Sequence, residues 1–179
     1  MKVQFWSIDM IFAIVIFTGA LILLSIAWSS INVQFSASYG YGIGMMQAQL
    51  NNLLQKLQTP GSPNNWDLQV SVNEISTWSN LSVGLASASG NGEISINKVM
   101  ALLAMSNNNY QESKQNLGVG FDYYITIYSQ GQYNVSIGEN PMNLNATAIQ
   151  TATVPIILNN GQLANMRVIV WTNTTFGVG

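Results

Sequence analysis

Side chains able to carry acid–base, nucleophilic or metal chemistry are few and scattered in this sequence. Its 179 residues include seven carboxylates, five basic side chains, no histidine and no cysteine. Lack of histidine removes the commonest general base and the commonest metal ligand, and lack of cysteine removes disulfides and thiolates. Asp67, Glu74, Glu93, Glu112, Asp122 and Glu139 stand singly, at spacings that build neither an acid–base pair nor a metal cage. Gly90-Asn91-Gly92 is a turn with no phosphate-binding context after it. Tyr39, Tyr41, Tyr123, Tyr124 and Tyr128 suit core and intermolecular contacts better than a ligand cage. The expectation is no catalytic residue, no metal site, no cofactor and no enzyme. Five basic residues spread along the chain cannot neutralise a run of phosphates, so nucleic acid is not an expected partner.

What remains is chemistry of position. Asp9 stands just before an apolar run, where a carboxylate within a membrane helix costs ~2.5–3.5 kcal/mol and usually has a partner and a role. At the membrane interface the same side chain would cost little, and both readings stay open on the residues alone. Four N-x-S/T sequences, at Asn80, Asn134, Asn145 and Asn173, are candidate N-glycosylation acceptors. The small net charge of −2 leaves a polar surface written in Asn, Gln, Ser and Thr, which suits exposure to acid, salt or heat.

These residues must be positioned by two kinds of element. Met10 to Trp28 is 19 residues without a charge, or about 28 Å of helix, the thickness of a hydrocarbon core. Lys2 precedes it and no basic residue follows until Lys56, which puts the N-terminus in the cytoplasm and the rest outside. Three readings fit: a secretory signal cleaved after Ser25-Ile26-Ala27, a plain membrane anchor, or a helix that leaves the membrane for the core of a filament.

Beyond Trp28 no proline appears until Pro60, and Met46, Leu50, Leu53 and Leu57 recur at helical spacing. Thr59-Pro60-Gly61 ends the pattern. A helix from Phe5 to Gln58 would span ~80 Å, more than twice a bilayer core, which neither a signal nor a plain anchor needs. Gly40, Gly42 and Gly44 lie in its middle, where each costs up to ~1 kcal/mol against alanine. They read as a kink or loop that splits the helix, as a close-packing surface (Gly40 and Gly44 share the GxxxG spacing), or as a hinge.

The remainder reads as a β-rich domain. Asp67 to Ala86 is expected to mix a short strand with turns, and Ser95 to Met105 to form a short helix capped by Ser95. Residues 123–128 and 133–137 read as strands around a turn at Gln130-Gly131. Thr151 to Leu158 and Leu163 to Trp171 flank Asn160-Gly161, a hairpin signal. The expectation is a four- or five-stranded, largely antiparallel sheet packed on the C-terminal half of the long helix, with Pro155 at an edge or bulge.

The ordered pieces resemble those of archaeal type IV pilins and pilin-like surface proteins. They are Leu57-Gln58-Thr59-Pro60-Gly61-Ser62-Pro63-Asn64-Asn65-Trp66, Val83-Gly84-Leu85-Ala86, Asn97-Lys98, Tyr110 to Leu117-Gly118, Phe121 to Ile127 and Met166 to Trp171. Met1-Lys2-Val3-Gln4 resembles the family's leader, and a cut between Gln4 and Phe5 would make Asp9 the fifth residue of the mature chain. The resemblance implies that Asp9 pairs with a freed N-terminal amine, often a neighbour's, and sets axial register. Two positions depart from the family pattern: Asp9 replaces the usual glutamate, and Gln4 a small residue.

The resemblance implies a type IV pilin-like α+β fold divided into a leader at residues 1–4, a long helix at 5–58 and a β-rich outer domain at 59–179. It implies a structural, adhesive filament subunit whose partner is itself, a membrane location before assembly, and an extracellular filament afterwards. A prepilin peptidase, an assembly ATPase and a membrane platform are the implied helpers. The alternatives are an anchored surface protein that never polymerises, and a secreted binding domain starting at Trp28.

Overall fold

The computed structural model describes residues 3–70, 75–89, 91–129 and 134–174, without the side chains of residues 3–9, 11, 31–41 and 75–77. The chain is α+β: an N-terminal apolar helix, further helices, and a four-stranded antiparallel sheet. Its described residues divide into two compact units, 3–42 and 43–174.

Helix α1 runs from Val3 to Leu57, 55 residues without interruption. Of the three readings of Gly40, Gly42 and Gly44, the loop that would split the helix does not form. Three glycines cost only ~1 kcal/mol each, and flanking residues such as Met45, Met46 and Gln47 are good helix formers. The helix stops where expected on chemical grounds: Gln58 and Thr59 form a turn, and the Thr59 hydroxyl donates to Lys56 O at 2.7 Å. Within the second unit Met46, Leu50, Leu53 and Leu57 are buried to within 1%, so this part of α1 presents one apolar stripe to a core. Its polar ties run to loops. The Gln49 side chain accepts from the backbone N–H of Gly120 and Phe121, and the Lys56 ammonium donates to Asn116 O at 2.8 Å.

No strand forms between Asp67 and Ala86 among the described residues, contrary to expectation. Two 3-10 helices, Trp66–Gln69 and Ile75–Asn80, occupy this region with isolated bridges Ser62–Ser82 and Ala86–Ile94. Helix α2 spans Ile96–Asn108, and Ser95 caps it through its hydroxyl to the Lys98 N–H. A further helix, α3 at Tyr110–Leu117, follows directly; Asn109 caps its start, and Gly118, at φ 71°, its end.

The strands are β1 Asp122–Tyr128, β2 Asn134–Gly138, β3 Ala148–Ile157 and β4 Leu163–Thr172, in the order β2-β1-β4-β3 with every pair antiparallel. The expected turn at Gln130-Gly131 lies outside the described residues. β3 starts at Ala148, three residues before the expected Thr151, and is an edge strand containing Pro155. Tyr123, Ile125 and Ile127 of β1 stand opposite Val170, Val168 and Met166 of β4, all fully buried, so one sheet face forms core. Helix α2 packs against β2. The other face carries Thr126, Ser136, Thr153, Asn165 and Arg167 along its middle.

Candidate functional site

The residues with most to gain from a partner lie on α1. Phe12–Ser30 is 19 residues with a mean hydropathy of 2.3, long and apolar enough to cross a membrane. Twelve large apolar side chains between Met10 and Trp28 are 50–70% exposed. Ile14 to Phe17 and Leu21 to Leu24 are consecutive, and four successive residues at about 100° each go once round a helix. This stretch is therefore apolar on every side, unlike the single stripe at residues 46–57. A helix of that kind requires an apolar environment all round: lipid, or other helices.

Gln4, Phe5, Asp9 and Gly40 all lie in α1, but the side chains of the first three are outside the described residues. Of the other glycines, Gly42 is buried and Gly44 exposed, and a Cβ on Gly44 would meet nothing within 4 Å.

Where α1 ends, residues far apart in sequence lock together. Leu57 O accepts from Leu85 N–H and Thr59 O from Ala86 N–H, each at 2.9 Å. Ser62 and Ser82 exchange two backbone hydrogen bonds at 2.8 Å, and the Trp66 indole donates to Gly84 O at 2.8 Å. Gly84 admits this approach because it has no Cβ: one placed there would collide with Thr59 O and lie 2.6 Å from Gly61 N. The buried Lys98 closes the cluster, its ammonium donating to Pro60 O at 2.6 Å and Ala86 O at 2.9 Å. Burial holds the Lys98 amine below its ordinary pKa, with Asp67 acting against that; burial alone lowers Lys56. Thus Thr59-Pro60-Gly61, Val83 to Ala86 and Asn97-Lys98 converge on one place.

A second polar cluster ties α3 to β1. The Tyr110 hydroxyl accepts from Tyr123 N–H at 2.9 Å, the Tyr123 hydroxyl meets Ser113 Oγ at 2.7 Å, and the two rings stack at 5.1 Å. Lys114 pairs with Asp122 at 2.7 Å. Burial raises both phenols above the ordinary tyrosine pKa, while hydrogen bonds oppose the rise, from the Tyr123 backbone for Tyr110 and from Ser106 and Ser113 for Tyr123. Both clusters tie together segments that are distant in sequence. Sequence reasoning named Lys98 only within the Asn97-Lys98 piece and gave none of these lysines a role; the signal available was that a chain with five cations put Lys98 on the same helix as Val99 and Leu102.

All four candidate acceptor asparagines are exposed. Asn80 ends a 3-10 helix, Asn134 begins β2, Asn145 sits in a turn at φ 51°, and Asn173 follows β4. The structure brings two of them near each other in the chain's hydrogen bonding: the Thr147 hydroxyl, third residue of the Asn145 sequence, donates to Thr172 O and Thr174 O on either side of Asn173. Among the described residues, no three His, Cys, Asp or Glu side chains gather to hold a metal ion. Comparison with protein-family models, with curated proteins and with solved structures finds no match for this chain.

Proposed function

We propose that this chain is a non-enzymatic structural subunit of a type IV pilus-like adhesive filament, polymerising through the apolar part of α1. The single observation that carries the proposal is the all-round exposure of apolar side chains from Met10 to Trp28. At ~1.5–3 kcal/mol for each large apolar side chain withdrawn from water, their burial is worth tens of kcal/mol. Lipid supplies that burial before assembly and neighbouring copies of α1 supply it afterwards, with close packing favouring the filament. Continuity of α1 past the span is what the filament uses and a plain anchor does not need. Asp9 sets the register by pairing with a neighbour's N-terminal amine after cleavage between Gln4 and Phe5, and the body carries glycans on its exposed asparagines outside the cell. A prepilin peptidase, an assembly ATPase and a membrane platform act on the chain.

One second reading has its own support: Phe12–Ser30 alone fits a bilayer, which suits an anchored surface protein that never polymerises. Lys-for-Leu substitution at one apolar position separates the two. In Leu23→Lys, surface filaments are expected to disappear by electron microscopy of producing cells, with the chain still present in membranes by immunoblot. Filaments of unchanged number and diameter would contradict assembly through this face.

A further inference from the structure

The four strands of the sheet leave two edges, β2 and β3, and the hydrogen-bond alternation shows which backbone groups face outward. Leu158 N–H bonds to Gln162 O at 2.9 Å in the hairpin that joins β3 to β4, so even-numbered residues of β3 face β4. Odd-numbered residues then face away. Ile157 agrees, because its carbonyl accepts from Ile94 N–H at 2.8 Å on the side opposite β4. Ile149, Thr151 and Thr153 therefore turn both N–H and C=O to the open edge, and Pro155, which has no N–H, turns only its carbonyl. On β2, Glu139 N–H bonds to Tyr123 O, which assigns odd-numbered residues to β1 and leaves Asn134 and Ser136 facing outward.

Soluble sheets usually guard such edges with charge. Neither edge here has any: β3 reads AIQTATVPII and β2 reads NVSIG. Ile94 covers one end of β3, and Thr151 and Thr153 stay exposed, as do Asn134 and Ser136.

We propose that the open edge of β3 in one copy accepts β2 of a second copy, joining neighbouring sheets edge to edge. Direction fits: in the all-antiparallel order β2-β1-β4-β3 the two edges run opposite ways, so a second copy in the same orientation brings its β2 antiparallel to this β3. Register fits too, with Thr151 opposite Ser136 and Thr153 opposite Asn134, each pair exchanging two backbone hydrogen bonds. Side chains of all four residues stand on the solvent face of the seam, which leaves Asn134 free to carry a glycan above it. A β2–β3 junction is head-to-tail and can pass from copy to copy along a filament, whereas β3–β3 pairing about a two-fold axis stops at two. The inference rests on the filament reading for its supply of neighbours.

Because the chain has no cysteine, a disulfide reports the junction without background. Directly opposed residues of a hydrogen-bonded pair have Cα atoms about 5.5 Å apart, within disulfide reach. The test is the full chain carrying Thr151→Cys and Ser136→Cys, oxidised mildly on cells and on sheared filaments, then run on non-reducing gels. A ladder of dimers, trimers and longer species that collapses on reduction is expected, and Thr153→Lys added to it should weaken the ladder ~10-fold by placing a charge in the seam. Filaments without a ladder, a ladder indifferent to Thr153→Lys, or dimers from Thr151→Cys alone would each overturn the junction while leaving the filament reading intact. Cross-linked species in membranes of cells without filaments would support the junction and sink the filament reading; no filaments and no cross-link would sink both.

Discussion

Lys98 is held by two backbone carbonyls, and among the described residues its ammonium has no carboxylate within salt-bridge distance. Lowered lysine pKa values at Lys56 and Lys98 mean that the unfolded chain binds more protons than the folded one as pH nears the unfolded value of ~10.5, so stability rises through that window. Tyr110 and Tyr123 act with the opposite sign. Their pKa values are raised, so above ~10 the unfolded chain releases phenol protons that the folded chain keeps, and stability falls by up to ~1.4 kcal/mol per pH unit for each. The expected profile rises toward pH 10 and falls beyond it. Denaturant titration at half-unit steps checks this, and Tyr110→Phe should flatten the falling arm. A fall unchanged in that variant would mean that Tyr110 is not among its causes. None of this was legible in the sequence: Lys98 and Pro60 are 38 positions apart, and nothing local marks either as the other's partner.

At the scale of elements, glycines separate two kinds of position. Gly44 lies in α1 with open space where a Cβ would go, so Gly44→Ala should stabilise the helix by about 1 kcal/mol, read as a higher melting temperature by circular dichroism. Gly84→Ala should do the reverse, costing about 3 kcal/mol or more, because the added Cβ meets the backbone of Thr59 and Gly61 and not a yielding side chain. Equal melting temperatures for the two variants would contradict the locked turn. Local signals did locate several elements. Thr59-Pro60-Gly61 ended α1, Asn160-Gly161 marked the β3–β4 hairpin, and Ser95 capped α2. Helix α3 escaped because YQESKQNL offers only Tyr110 and Leu117 as apolar residues, too few for a stripe; its caps, Asn109 and Gly118, were the readable marks. The strand expected between Asp67 and Ala86 is absent among the described residues for the converse reason. Trp66 and Trp78 enter the core from 3-10 turns, and the backbone of Ser82 to Ala86 pairs with the turn after α1 and with Ile94, outside any named strand.

The chain combines a body with an ordinary buried core and a helix that is apolar on every side from Phe12 to Trp28. Composition made that contrast readable from the start, since 7% charged residues leave little to solvate such a helix. In the filament reading, what the helix packs against is a property of several chains and is written in no single one. The most direct test is the composition of filaments sheared from producing cells, by intact mass and peptide analysis together with an image reconstruction. The account predicts this chain as the dominant protein, starting at Phe5, with its helices gathered at the filament axis. Filaments built of another protein, with this chain confined to membranes or released as a soluble domain starting at Trp28, would contradict it.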